Sequence, residues 1–250
     1  MSFLGSFSQF LRSKYAKEFE LASKTPKETQ LNKLKGILQK NSKTEFGIKY
    51  KFNTLDSVEK FQKSIPISTH KDLKPYLDKM LNGKKNILTA EDPIYYCMTS
   101  GSTGIPKHTP ITPAYRDEYQ SVVQTFLYHV YREHPKAFNG KVLYFNGSAE
   151  LGKTPAGIPF GTMSGFNFKS LPKLLKKFYA LPYEITVIND LFSRYYCMVL
   201  LSLTRNISMM IGITGAPIIT FINRLQEESE NLIDDIRHGT LNKKLILSPV

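Results

Sequence analysis

With 250 residues and 28.5 kDa, the chain holds enough material for one large domain or two small ones, each with a substantial core. A 41% apolar fraction with 16 Phe and 14 Tyr excludes an intrinsically disordered protein. Two cysteines, Cys97 and Cys197, exclude a disulfide scaffold and fit a reducing compartment. The net charge of +13 is concentrated early, because residues 1–90 carry 18 Lys/Arg against 8 Asp/Glu. Most of the basic residues are Lys, scattered through amphipathic segments. A nucleic-acid reader would favour Arg with interleaved aromatics, so the excess reads as a solvated lysine-rich surface.

The chain opens on Phe3, Leu4, Phe7, Phe10 and Leu11 at helical spacing, running into a charged helix without the apolar core of a secretory leader. Thr25-Pro26-Lys27-Glu28 has the form of a capping box with Pro at the first helical position. Leu31, Leu34, Ile37 and Leu38 follow on one face. Ser57–Ser64 reads as a short helix stopped by Pro66. Thr69-His70-Lys71-Asp72 starts another, with Leu73, Tyr76, Leu77, Met80 and Leu81 as its face and Gly83 as its end.

From residue 86 the period changes. Asn86–Thr89 and Ile94–Met98 read as strands, and Thr112-Pro113 starts a helix with Tyr119, Val122, Val123, Phe126 and Val130 on one face. Strand Val142–Phe145, a glycine-rich stretch 146–165, helix Pro172–Tyr179, strand Ile185–Ile188, helix Ser193–Leu203, strand Ile207–Thr214 and helix Ile218–Arg237 complete the alternation. The uncharged run Asn206–Asn223 is broken by Gly212, Gly215 and Pro217, so it reads as strand, turn and helix rather than a membrane span. The expectation is a cytoplasmic α/β protein. A helical lead-in over 1–85 precedes a mixed sheet with flanking helices over 86–250, and the final apolar segment, Leu245-Ile246-Leu247-Ser248-Pro249-Val250, starts a strand whose partner would lie further on.

The most informative segment is Tyr95-Tyr96-Cys97-Met98-Thr99-Ser100-Gly101-Ser102-Thr103-Gly104-Ile105-Pro106-Lys107: a buried strand, six small or hydroxylated residues, then Ile, Pro and Lys. Glycines let backbone N–H groups approach an anion, hydroxyls add donors and Lys107 adds a point charge, a combination suited to phosphate. It is not a Walker loop, because Lys107 follows Pro106 and precedes His108. Pro106 and Pro110 bar a helix directly after the loop, so the spacing predicts strand, loop and short strand. A glycine- and serine-rich surface turn is the alternative reading.

Thr99–Lys107 resembles the phosphate-binding signature of the adenylate-forming superfamily, which includes acyl-CoA synthetases, luciferases and peptide-synthetase adenylation domains. Around it, Asn41–Gly47, Phe61 to Pro66-Ile67, Lys74-Pro75-Tyr76, Asn82-Gly83, Ile87-Leu88-Thr89, Asp190–Tyr196 and Leu232–Gly239 occur in the order of one family. That order is similar to the Gretchen-Hagen family of plant auxin-responsive acyl acid amido synthetases and its bacterial relatives.

The resemblance implies the N-terminal domain of the adenylate-forming fold. It implies a ligase that uses ATP and Mg²⁺ to activate a carboxylic acid as an acyl-adenylate, then forms an amide with an amino acid or other amine. It places the β- and γ-phosphates on Thr99, Ser100, Gly101, Ser102, Thr103 and Gly104, with Lys107 assisting. Such enzymes are about twice this length, and the signatures for adenine, ribose and Mg²⁺ and the mobile C-terminal domain are not in these residues. The resemblance therefore leaves two forms open, the N-terminal half of a split or truncated enzyme completed by a separate C-terminal half, and a non-catalytic nucleotide-binding subunit. A lysine-rich nucleic-acid-binding module is the remaining alternative.

Other constellations are weaker. His129 and His134 lie about 140° apart around a helix and cannot share a metal. His108 reads as a loop histidine making local hydrogen bonds, Arg194 as half of a structural ion pair, and the two cysteines as core thiols. Asn146-Gly147-Ser148 follows a strand end, where α/β proteins place ligand contacts, and with Gly161–Gly165 reads either as part of an acyl pocket or as a plain connection.

Overall fold

The computed structural model describes residues 3–99 and 107–247, and for residues 3–8 and 99 the backbone alone. In chain order the elements are α1 (Phe3–Ala22), α2 (Pro26–Lys40), α3 (Glu45–Lys49), α4 (Val58–Ser64), α5 (His70–Leu81), β1 (Tyr95–Thr99), β2 (Lys107–Ile111) and α6 (Pro113–Glu133). Then follow β3 (Lys141–Tyr144), β4 (Gly152–Lys153), β5 (Pro159–Gly161), α7 (Met163–Lys169), α8 (Lys173–Lys176), α9 (Tyr183–Thr186), α10 (Leu191–Leu203), β6 (Ile207–Ile211), α11 (Ala216–Glu227) and α12 (Ser229–His238). Residues 1–130 with 152–160 form one compact unit, and residues 131–151 with 161–250 form the other.

In the first unit α2, α4, α5 and α6 start where the sequence signals them, and α3 is a short helix that the sequence reading did not include. Ser57 Oγ accepts from the Lys60 amide at 3.2 Å at the head of α4, and Thr44 Oγ1 accepts from the Gly47 amide at 3.0 Å at the head of α3. Of the helix starts at Thr25 and Thr69, the second is the one that forms a capping box. At α5 the Asp72 carboxylate accepts both the amide and the hydroxyl of Thr69 at 2.7 Å, whereas Thr25 makes no side-chain cap to α2. Proline at the first position of α2 has no amide to satisfy, so that helix loses little by lacking the cap.

Asn86–Thr89 is not a strand. Its carbonyls are taken by the head of α3, with Glu45 N–H donating to Asn86 O at 2.7 Å and Phe46 N–H to Ile87 O at 3.1 Å. Ile87 buries its side chain with Met80 and Tyr96, which explains the apolar pattern without a ladder. A four-stranded sheet in the order β2-β1-β5-β4 follows, and a second cluster forms around Leu38, Phe52 and Leu55. The face read on α6 is only half realised, since Val122 and Phe126 are exposed. Part of the early lysine charge is balanced by ion pairs, among them Lys40–Glu91, Lys60–Asp56, Lys74–Asp78, Lys79–Glu45 and Lys85–Asp92.

The second unit is built on β3 and β6, which pair in parallel. Tyr179 bridges to Val142 on β3, with Val142 N–H donating to Phe178 O and Ala180 N–H to Val142 O. Helix α10 carries the core: Tyr196, Met198 and Val199 pack with Leu143, Phe145, Phe221 and Leu232. Two short segments depart from expectation. Ile185–Ile188 is not a strand, because Pro182 caps the turn α9 and Thr186 Oγ1 donates back to Tyr183 O at 2.6 Å. Helix 172–179 contracts to α8.

The long helix expected over 218–237 is two helices separated at Glu228 and ended by Gly239 in the left-handed region at φ 66. Leu245–Leu247 form no strand, and Ser248–Val250 lie outside the described residues. Among the described residues no helix is long and apolar enough to cross a membrane.

Candidate functional site

The phosphate-loop candidate is framed by the β1–β2 pair. The strands run antiparallel with Tyr95 opposite Ile111, Cys97 opposite Thr109, Met98 opposite His108 and Thr99 opposite Lys107. This is the strand–connection–short strand arrangement read from Pro106 and Pro110. Ser100, Gly101, Ser102, Thr103 and Gly104 lie outside the described residues.

The base of the hairpin is firmly held. Tyr95 and Tyr96 are buried, and burial without a partner for its hydroxyl pushes Tyr96 up to about 12. His108 lies in β2 rather than in a loop. Its ring meets Phe160 edge-on at 4.8 Å and makes no hydrogen bond among the described residues. Burial lowers its pKa, which favours the neutral imidazole beside Lys107.

The second unit contains a crevice of about 240 Å³ at the carboxyl ends of its two parallel strands. Phe145, Asn146 and Gly147 enter it after β3, Ile213 and Thr214 after β6, and Arg194, Tyr195 and Met198 from α10. Strand carboxyl ends leave backbone groups and following side chains free to meet a ligand, which is where open α/β sheets bind them. Asn146 is buried. Its Nδ2 donates to Thr186 Oγ1 at 2.9 Å, while its Oδ1 has no partner. Such an orphaned buried acceptor costs free energy unless a ligand or water completes it.

Arg194 is not an ion-pair partner. Its Nε donates to Ile188 O at 2.7 Å and its Nη2 reaches Asn189 O at 3.4 Å. The guanidinium is thereby held at the crevice wall with donors to spare and no carboxylate against it among the described residues. Asp190 caps α10 instead, accepting from Ser193 Oγ at 2.6 Å and Ser193 N at 2.8 Å. Those bonds, with Arg194 and Arg224 nearby, hold its carboxyl below the ordinary value.

The structure brings together the two glycine-rich stretches singled out in the sequence. Thr162 N–H donates to Ser148 O at 2.8 Å, and Gly147 N–H donates to Ser164 Oγ at 3.2 Å. A Cβ on Gly165 would lie 2.3 Å from Gly147 O, so glycine is what lets α7 sit against the strip that enters the crevice. Sequence reasoning missed Thr186, Met198, Ile213 and Thr214. Ile213 and Thr214 lie just beyond β6 but read as its last residues, the strand read over 185–188 hides Thr186, and Met198 carries no signal that sets it apart from the core face of α10. Among the described residues no three His, Cys, Asp or Glu gather as a metal would need.

The first unit thus carries two antiparallel strands joined by a glycine-rich segment, and the second a strand-end crevice with Arg194 in its wall, in a mixed α/β fold. The chain belongs to the GH3 family of acyl acid amido synthetases, ligases of the adenylate-forming superfamily: the GH3 family N-terminal domain matches residues 15–250. It is 30% identical over 247 residues to GH3.9 of Arabidopsis thaliana, covering 90% of this chain and 40% of that protein. It is 28% identical to the jasmonoyl–L-amino acid synthetase JAR4 of Nicotiana attenuata, covering 92% of this chain and 41% of that one. The solved GH3.15 acyl acid amido synthetase shares the fold, with a TM-score of 0.77 at 24% identity over 91% of this chain and 41% of its own length. The chain thus spans about two fifths of the length of the curated relatives it matches, and matches their N-terminal portion.

Proposed function

We propose that this chain supplies the nucleotide-phosphate and acid-binding portion of an ATP-dependent acid-amido synthetase. The observation that carries the reading is the pairing of Thr99 opposite Lys107, the two residues that flank the glycine- and hydroxyl-rich sequence 100–106, in a chain of the GH3 family. In this reading Thr99, Ser100, Gly101, Ser102, Thr103 and Gly104 hold the β- and γ-phosphates of ATP. Lys107 stabilises the charge that moves onto pyrophosphate. A small carboxylic acid occupies the crevice, its anion facing Arg194 and a donor of its own reaching Asn146 Oδ1.

A carboxylate oxygen attacks the α-phosphorus, and the bond to pyrophosphate breaks to give the acyl-adenylate. The amine of an amino acid or other acceptor then attacks the acyl carbon. The bond to AMP breaks, and the amine proton is lost as the amide forms. Mg²⁺ arriving with ATP would supply positive charge to offset that of the phosphates.

Carboxylate-dependent ATP–pyrophosphate exchange tests the reading, on the chain alone and with the remaining portion of a GH3 relative added. Exchange in either case that falls with Lys107→Ala supports it. ATP binding without exchange in both cases favours a nucleotide-binding subunit. No ATP binding overturns both.

A further inference from the structure

Of the 17 lysines in the first ninety residues, seven form ion pairs with carboxylates among the described residues, whereas the second unit carries a lysine cluster with none. Lys169, Lys173, Lys176 and Lys177 fall within nine residues, and no Asp or Glu occurs between Glu150 and Glu184. Among the described residues none of the four is paired with a carboxylate.

The cluster is braced rather than neutralised. Lys176 Nζ donates to Lys169 O at 3.1 Å, Lys141 Nζ donates to Lys177 O at 2.5 Å, and Lys169 Nζ stands 5.4 Å from the ring centre of Tyr183. Interleaved with these cations are apolar side chains turned to solvent. Leu174 is 68% exposed, Phe178 51% and Leu175 44%, on and just after α8.

We propose that this segment, residues 169–178, is a docking surface for an anionic lipid bilayer. The inference is independent of the amido synthetase reading. Unpaired lysines are attracted to acidic headgroups, and exposed Leu and Phe gain by entering the boundary between headgroups and acyl chains. Two other polyanionic partners fit less well. Nucleic-acid contacts draw on Arg for bidentate bonds, and this cluster has none; phosphates also offer nothing to Leu174 and Phe178. Protein interfaces are depleted in Lys at their centres, where this segment is richest in it. The surface is peripheral, since no described helix can span.

The test is co-sedimentation of the 250-residue chain with vesicles of phosphatidylcholine alone and of phosphatidylcholine mixed with phosphatidylserine. Binding is expected to the mixed vesicles only. Each of Lys173→Ala and Lys177→Ala should weaken it roughly fivefold, and the pair about 25-fold. Leu174→Ser with Phe178→Ser should also weaken it, with the thermal melt unchanged because both side chains are exposed. Equal binding to neutral and mixed vesicles, or none to either, overturns the proposal. So does binding that responds to the lysines alone and is matched by duplex DNA at the same salt, which would make the cluster a general polyanion site.

Discussion

The phenolic hydroxyl of Tyr196, in the middle of α10, donates to Asp235 Oδ2 on α12 at 2.6 Å with both residues buried. The same carboxylate accepts from Thr240 Oγ1 at 2.8 Å and from the Asn242 amide at 2.9 Å, so it fastens the turn after α12 to the core helix of the second unit. Hydrogen bonds to a charged acceptor contribute about 1.5–3 kcal/mol. Tyr196→Phe is expected to cost that much in a urea melt. A loss below about half a kcal/mol would mean that Thr240 and Asn242 satisfy the carboxylate alone.

Asp235 also sets a pH dependence. Burial works against its charged form, but the bonds from Tyr196, Thr240 and Asn242 prevail and hold its pKa below the ordinary value. A depressed folded pKa gives stability that is present above the unfolded value of about 3.9 and lost as pH falls through the folded one. The stability gap between the wild type and Asp235→Asn should therefore be widest at neutral pH and close in acid. A gap independent of pH, read from urea midpoints, would contradict this.

Gly165→Ala tests the junction behind the crevice. The added methyl would stand 2.3 Å from Gly147 O and 2.5 Å from Ala149 N, both backbone atoms that cannot swing aside. Overpacking of this kind costs about 1–3 kcal/mol. Gly157→Ala meets no neighbouring atom but has φ 80, so its cost is one of backbone strain alone and should be the smaller. Thermal melts of the two variants give the comparison, and equal losses would argue against the close approach.

Arg194 is expected to select anions. Removing a charge-assisted partner, as in Arg194→Leu, should weaken binding of small carboxylic acids by roughly tenfold to a hundredfold while barely affecting their primary amides. Calorimetry on matched acid and amide pairs reads this directly. Acids and amides weakened alike would assign Arg194 to holding Ile188 and Asn189 in place.

Much of the fold was legible because local and tertiary demands agreed. Ser57, Pro26 and Gly239 fix helix boundaries through their own backbone chemistry, and two prolines around Lys107 leave a strand as the natural continuation. The misreadings share one cause. Ile185-Thr186-Val187-Ile188 and Asn86–Thr89 have strand-like composition, yet tertiary partners use their backbones otherwise: Thr186 returns to Tyr183 and receives Asn146, and Asn86 and Ile87 cap α3. Arg194 was misjudged for a related reason, since a sequence cannot tell a carbonyl acceptor from a carboxylate. The crevice was only half visible, because Asn146 and Ile213 come from strands more than sixty residues apart whose parallel pairing no local pattern announces.

The most direct measurement is the thermal melt of the 250-residue chain with and without saturating Mg·ATP, repeated for Lys107→Ala. The expected result is a cooperative transition stabilised by ATP by roughly 2.7 kcal/mol at a hundredfold excess over Kd, a stabilisation largely lost in the variant. A transition indifferent to ATP, or one raised equally in Lys107→Ala, would contradict the assignment of the segment from Thr99 to Lys107 to the nucleotide's phosphates.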